Sequence, residues 1–370
     1  MKMSKISVLL CLLFLSSSGF VNGSDEKKIR IYELKKGDVS MKVTNWGASL
    51  LSLLLPDKNG KLGDIVLEYY SIKDYTTNTT NFGATVGRVA NRIRGAQFML
   101  NGTVYKLVPN YGKTVKNSTI HGGARGFADV IWNVERYQRE GNRPTITFSY
   151  HSFDGEQGFP GDLIATATYT LLGKNQLGLT MKARALNKAT PVNLVNHAYW
   201  NLGNHNSGYI LGEDVQIFGS QITAVDSENI PTGEFTPVKG TPYDFLEPRT
   251  VGSRINQLAT GYDINYVLDG EKGKMKLAAI VHDNKSGRVM KVFTNAPGMQ
   301  FYTANSLKDV KGKGGVLYQA HDALCVETQA FPDSVNHPNF PSTIVTPDKP
   351  YYHHTIFKFS TKPCSSGVST

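Results

Sequence analysis

Cysteine is scarce in this 370-residue chain, which holds three: Cys11, Cys325 and Cys364. A disulfide framework is therefore not what holds the fold. Whether Cys325 and Cys364 pair is not given by sequence, because bridging needs Cα atoms within roughly 7 Å of each other. Long hydrophobic runs are equally few. The first, residues 6–15, follows Lys2 and Lys5 and gives way to small and polar residues ending in Val21-Asn22-Gly23-Ser24. It is shorter than the ~20 apolar residues of a membrane-spanning helix and reads as a secretory leader, residues 1–23, cleaved near Gly23. No later stretch matches it, so a soluble, secreted protein with no membrane partner is expected after cleavage.

Other absences narrow the chemistry. The net charge is +10, two of those charges leave with the leader, and the remaining Lys and Arg are scattered among acids; no basic block marks a nucleic-acid partner. There is no His-Glu-x-x-His helix and no Cys-x-x-Cys pair, and the adjacent His353 and His354 would point to opposite faces of a strand, so no metal site is expected. A G-x-S-x-G elbow and a phosphate-cradling loop are also missing, which removes serine nucleophiles and nucleotide phosphates. Neither long amphipathic helices, internal repeats nor Pro- or Ser-rich linkers occur after Asp25. The best helical stretch, around Ser253 to Leu258, has too few apolar positions to organise a core.

What the chain does have is strand-like alternation. Ile146, Phe148 and Tyr150 share a face, as do Leu177, Leu179, Met181, Ala183 and Ala185, and Thr355, Phe357 and Phe359. Turn-forming clusters such as Pro56-Asp57-Lys58-Asn59-Gly60 and Leu268-Asp269-Gly270 separate the runs. Many short strands between turns predict an all-β fold, a large antiparallel β-sandwich forming one domain over residues 24–362, with a flexible tail at 363–370. In a secreted chain the Asn-x-Ser/Thr sequences at Asn78, Asn101, Asn117 and Asn284 are glycosylation candidates.

Polar residues embedded in apolar segments are the candidates for chemistry. His197 shares a strand face with Tyr199, with Trp200 on the other; taken alone, such a His reads as a hydrogen-bonded core residue. Glu327 shares a face with Cys325 and Gln329 in a run apolar enough to be buried, and buried glutamates are uncommon unless paired or functional. His121 opens a His-Gly-Gly loop in which glycines allow close backbone approach or simply make a turn. Asn91, Arg92, Tyr262 and Asp263 add donors and an acceptor. With Trp200, Tyr302 and Phe331 nearby in sequence, the inventory suits a sugar, which needs flat apolar surfaces for its C–H faces and polar groups for its hydroxyls.

Taken together, the segments from Asn81 to Arg92, His121-Gly-Gly, Asn196-His-Ala-Tyr-Trp-Asn-Leu202, Gly261-Tyr-Asp263, Gln300-Phe-Tyr-Thr303 and Val326 to Pro341 resemble the aldose 1-epimerase, or mutarotase, family, in that family's order. The resemblance implies a galactose-mutarotase-type sandwich that interconverts the α and β anomers of free aldoses without a cofactor, and a monomer is expected. It implies His197 as general acid, Glu327 as general base and His121 as a second active-site histidine, with Asn91, Arg92, Asp263, Gln300 and Tyr199 binding sugar. Two departures, Ala128 after Phe127 and Ile264 after Asp263, are expected to bear on sugar preference. Opening a pyranose requires a proton placed on the ring oxygen and another taken from the anomeric hydroxyl, which two positioned side chains can do. Glu327 would have to be ionised with His197 protonated, or the two would have to share a proton. The rival readings are a sugar-binding protein without catalysis, a hexose-phosphate epimerase relative needing extra cationic groups, and a glycosidase pairing Glu327 with Asp263.

Overall fold

The computed structural model describes residues 28–362 except 78, 113 and 114. The leader with Cys11, the sequon residue Asn78, Cys364 and the tail at 363–370 lie outside the described residues.

Alternation produces sheets as the sequence predicts. In strand Gln176–Ala185 the five apolar positions of one face are buried, while Lys182 and Arg184 on the other are exposed. It pairs with Leu163–Gly173 on one side and with Tyr351–Thr361 on the other. That last strand buries Thr355, Phe357 and Phe359 and sends His353 inward and His354 to a partly exposed face, as adjacent strand residues must.

These strands are the middle of a nine-stranded sheet running from Asn133–Gln138 to Arg249–Thr250. A five-stranded sheet runs in the order Pro231–Pro237, Gln221–Val225, Asp263–Val267, Gly298–Tyr302, Cys325–Gln329. A four-stranded sheet near the N-terminus begins at Ile31–Lys36. All three are antiparallel. One core cluster joins them, with Met41 and Leu50 from the small sheet, Phe148, Leu179 and Phe357 from the large one, and Ile264, Phe301 and Val326 from the five-stranded one. The expected helix near Ser253 is instead two short 3-10 turns, Val251–Ser253 and Ile255–Gln257, that bury little beyond Val251 and Ile255.

The register of the five-stranded sheet determines what its other face carries. Ile264, Phe301 and Val326 lie opposite one another and pack inward. Their neighbours along each strand must therefore point the other way: Asp263, Tyr302 and Cys325 form one cross-strand row, and Asn265, Gln300 and Glu327 the next.

Candidate active site

Asp263 and Tyr302 of the first row and Gln300 and Glu327 of the second form one side of a cavity of about 580 Å³. Its lining includes Asn91, Arg92, His121, His197, Tyr199, Asp263, Gln300, Tyr302 and Glu327. All eight residues singled out from the sequence as catalytic or sugar-binding thus meet at one place.

His197 comes from the chain just after the short pair Val195–Asn196 with Thr85–Val86; its backbone N–H donates to Ala84 O (2.9 Å) and its carbonyl accepts from the Gly83 N–H (3.0 Å). Tied on both edges, the ring is held by a stack on Tyr199, with centroids 5.0 Å apart and planes 12° apart, and by the edge-on His121 ring at 5.4 Å. His197 and Tyr199 therefore share a face, while Trp200 turns away. Nε2 of His197 faces Oε1 of Glu327 at 3.7 Å, and both residues are buried.

Burial sets the proton inventory of this pair. Loss of solvent pushes the Glu327 carboxyl up to about 8, with the charge of Asp263 adding to the rise and Arg92 opposing it. The same loss of solvent pulls the His197 imidazole down to about 4. In the empty site at neutral pH both shifts put the proton on the carboxyl and leave the imidazole neutral, so the ionised pair is not the resting distribution.

His121 is held in the left-handed region (φ 54°), its N–H donating to Asn91 O at 3.0 Å. The Asn91 N–H donates to Nδ1 of His121 at 3.2 Å, so Nδ1 is an acceptor and a neutral ring carries its proton on Nε2. Burial holds this imidazole well below its ordinary range. The next residue, Gly122, has φ 88°, and a Cβ there would come within 1.9 Å of Gly87 O; close backbone approach is what this glycine provides.

A fixed polar chain completes the wall. Arg92 Nη2 pairs with Asp263 Oδ2 at 2.9 Å, Gln300 Nε2 donates to Asp263 Oδ1 at 2.7 Å, and Asn91 Nδ2 donates to Gln300 Oε1 at 3.1 Å. Gln329 joins from the last strand, donating to Gln300 Oε1 and Asn265 Oδ1. The Arg92 guanidinium also sits 4.7 Å over the Tyr111 ring. Each side chain is oriented before any ligand arrives, as a hydroxyl-reading surface requires.

Some expectations need correction. Trp200, opposite in facing to His197 and Tyr199, is buried against Phe357 and Phe359, and Phe331, beyond the end of strand Cys325–Gln329, packs with Phe235 and Phe340; neither lines the cavity. The aromatic walls are Tyr199, Tyr302 and Tyr111. Ala128 and Ile264 are likewise buried away from the cavity. Sequence reasoning did not pick out the rim residues Thr79, Asn229, Thr260, Asn305 and Ser306, which come from loops and carry no periodic signal. Cys325 is a buried free thiol.

The profile of the aldose 1-epimerase family matches residues 30–358. The chain belongs to the aldose 1-epimerase family. It is 40% identical over 331 residues to the galactose mutarotases of Sus scrofa and Homo sapiens, covering 89% of this chain and 93% of each relative. It is 31% identical over 344 residues to the aldose 1-epimerase of Escherichia coli K12, covering 90% and 96%. Among solved structures, the GalM/aldose epimerase homologue from C. elegans superposes with a TM-score of 0.83 at 28% identity, covering 91% of this chain and all of that one. The galactose 1-epimerase of Lactobacillus acidophilus superposes with 0.77 at 25% identity, covering 91% and 99%. The sandwich is thus the fold of the aldose 1-epimerases.

Proposed function

We propose that this chain interconverts the α and β anomers of free aldoses such as glucose and galactose, with His197 and Glu327 moving the protons. The observation that carries this reading is the buried 3.7 Å gap between Nε2 and Oε1 on the wall of a cavity otherwise lined by hydroxyl-reading groups. In the ionised arrangement His197 gives its proton to the ring oxygen while Glu327 takes the proton of the anomeric hydroxyl. The C1–O bond of the ring breaks, and the aldehyde forms. The pair is then neutral with its proton on the carboxyl, the distribution that burial favours in the empty site. Rotation about C1–C2 and the reverse transfers close the ring on the other face, so no proton is gained or lost overall. His121 Nε2–H and the Asn91, Arg92, Asp263 and Gln300 chain would hold the hydroxyls, with Tyr199 against the sugar.

The rival readings have weaker support. Among the described residues lining the cavity Arg92 is the sole Arg or Lys, and it is spent on Asp263, which leaves nothing extra for a phosphate. Asp263 is in turn engaged by Arg92 and Gln300, which disfavours it as a glycosidase nucleophile. We further propose a secreted, glycosylated monomer, on the leader-like residues 1–23, the sequons and the construction of the site from one chain. Polarimetry of freshly dissolved α-glucose and α-galactose with purified protein tests the activity; relaxation no faster than in buffer would leave a binding protein instead.

A further inference from the structure

Cys325 precedes Glu327 by two residues, so both side chains leave the same face of strand Cys325–Gln329. A ring nitrogen of His197, the Sγ of Cys325 and a carboxylate oxygen of Glu327 all lie within 4.8 Å of one another. His197 and Glu327 line the cavity and are almost fully buried, so their facing atoms have lost most of their water. Ligand atoms around one tetrahedral zinc stand roughly 3.3–3.8 Å apart, given bonds of about 2.0–2.3 Å. The 3.7 Å between Nε2 and Oε1 already falls in that range, and the Sγ of Cys325 lies within 4.8 Å of a ring nitrogen and a carboxylate oxygen of the same pair.

We infer that His197, Cys325 and Glu327 form an inhibitory binding site for a soft or borderline divalent cation of the zinc and cadmium class, with the fourth position open to the cavity. A thiolate in the set selects against magnesium and calcium, which take oxygen ligands. Binding replaces protons: Cys325 releases its thiol proton and Glu327 its carboxyl proton to solvent, and the two anionic ligands balance the charge of the ion. Imidazole and carboxylate so occupied can neither give nor accept a proton. The ion is therefore no cofactor here but a competitor of the sugar. The inhibition rests on the anomer-exchange reading; the binding does not.

The test uses cobalt(II) as a spectroscopic stand-in for zinc, added anaerobically to the full mature protein. One equivalent should produce a thiolate-to-cobalt charge-transfer band in wild type and in Cys364→Ser. Cys325→Ala and Glu327→Gln should each weaken binding by about tenfold or more, since each removes a first ligand and loss of even an outer partner has effects of that order. Circular dichroism reports whether each variant is folded, and zinc should displace cobalt from the wild type while suppressing anomer exchange in proportion to occupancy. A band that depends on Cys364, or cobalt affinity equal in wild type and folded Cys325→Ala, overturns the site. Polarimetry without metal judges the anomer-exchange reading separately.

Discussion

Nε2 of His197 and Oε1 of Glu327 face each other at 3.7 Å although 130 positions separate the two residues along the chain (327 − 197). Substituting Glu327→Gln keeps the volume and removes the carboxylate. The rate of anomer exchange followed by polarimetry should fall ~10²–10⁴-fold, the worth of one positioned proton transfer, while galactose binding by calorimetry persists. Undiminished turnover would remove Glu327 from the mechanism.

Asp263 is expected to act on binding more than on rate. Asp263→Ala strands the Arg92 guanidinium and frees the Gln300 amide that together fix the polar wall. KM should rise about tenfold or more, corresponding to ~1.4 kcal/mol, and stability should drop by roughly 1–3 kcal/mol for the unpaired buried donor. Steady-state kinetics and thermal unfolding of one preparation separate the two effects; an unchanged KM counts against sugar contact at this wall.

Glu213 gives the fold a pH dependence unrelated to the cavity. It accepts the Leu202 N–H at 2.8 Å and is buried, and loss of solvent pushes its carboxyl up to about 8, with Asp283 adding to the rise. A carboxyl raised on folding binds its proton more tightly in the folded state. Its contribution is thus complete below the ordinary value of 4.5 and is lost as pH climbs through about 8. Thermal midpoints measured from pH 5 to pH 9 should fall more steeply in wild type than in Glu213→Gln, which keeps an acceptor oxygen and cannot ionise. Parallel curves would exclude this residue as the cause.

The sequons differ in what surrounds them. Asn101 is exposed at the tip of the hairpin joining Gln97–Leu100 to Thr103–Lys106, and Thr103 is exposed beside it. At Asn284 the side-chain amide donates to Asp214, and the hydroxyl of Ser286 is buried, donating to Leu202 O. Protein recovered from a secreting host should lose one glycan's mass in Asn101→Gln and none in Asn284→Gln by mass spectrometry.

Much of this molecule was legible from sequence because period-two alternation is a local property. The strands holding Leu177 to Ala185 and Thr355 to Phe359 announce their buried faces residue by residue. The same rule, applied to residues 325–329, put Glu327 and Cys325 on one side. What alternation does not say is which side meets a cavity and which a core, and there Trp200 and Phe331 misled: a large aromatic looks the same whether it faces a ligand or a neighbouring sheet. Trp200→Phe should accordingly cost about 1–3 kcal/mol of stability through lost packing and leave KM unchanged in the folded fraction. The rim loops escaped notice because their position depends on how distant strands are assembled.

Strand Tyr351–Thr361, which follows every cavity-lining residue along the chain, lies in the middle of the nine-stranded sheet between Gln176–Ala185 and Arg288–Thr294. Until it arrives, two half-sheets face a gap with unpaired backbone edges, the surfaces that invite mispairing with other chains. A ribosome-bound precursor that stops short of this strand would therefore wait, unfinished and adhesive. A premature stop near residue 350 would remove the keystone of the sheet while sparing every residue that lines the cavity.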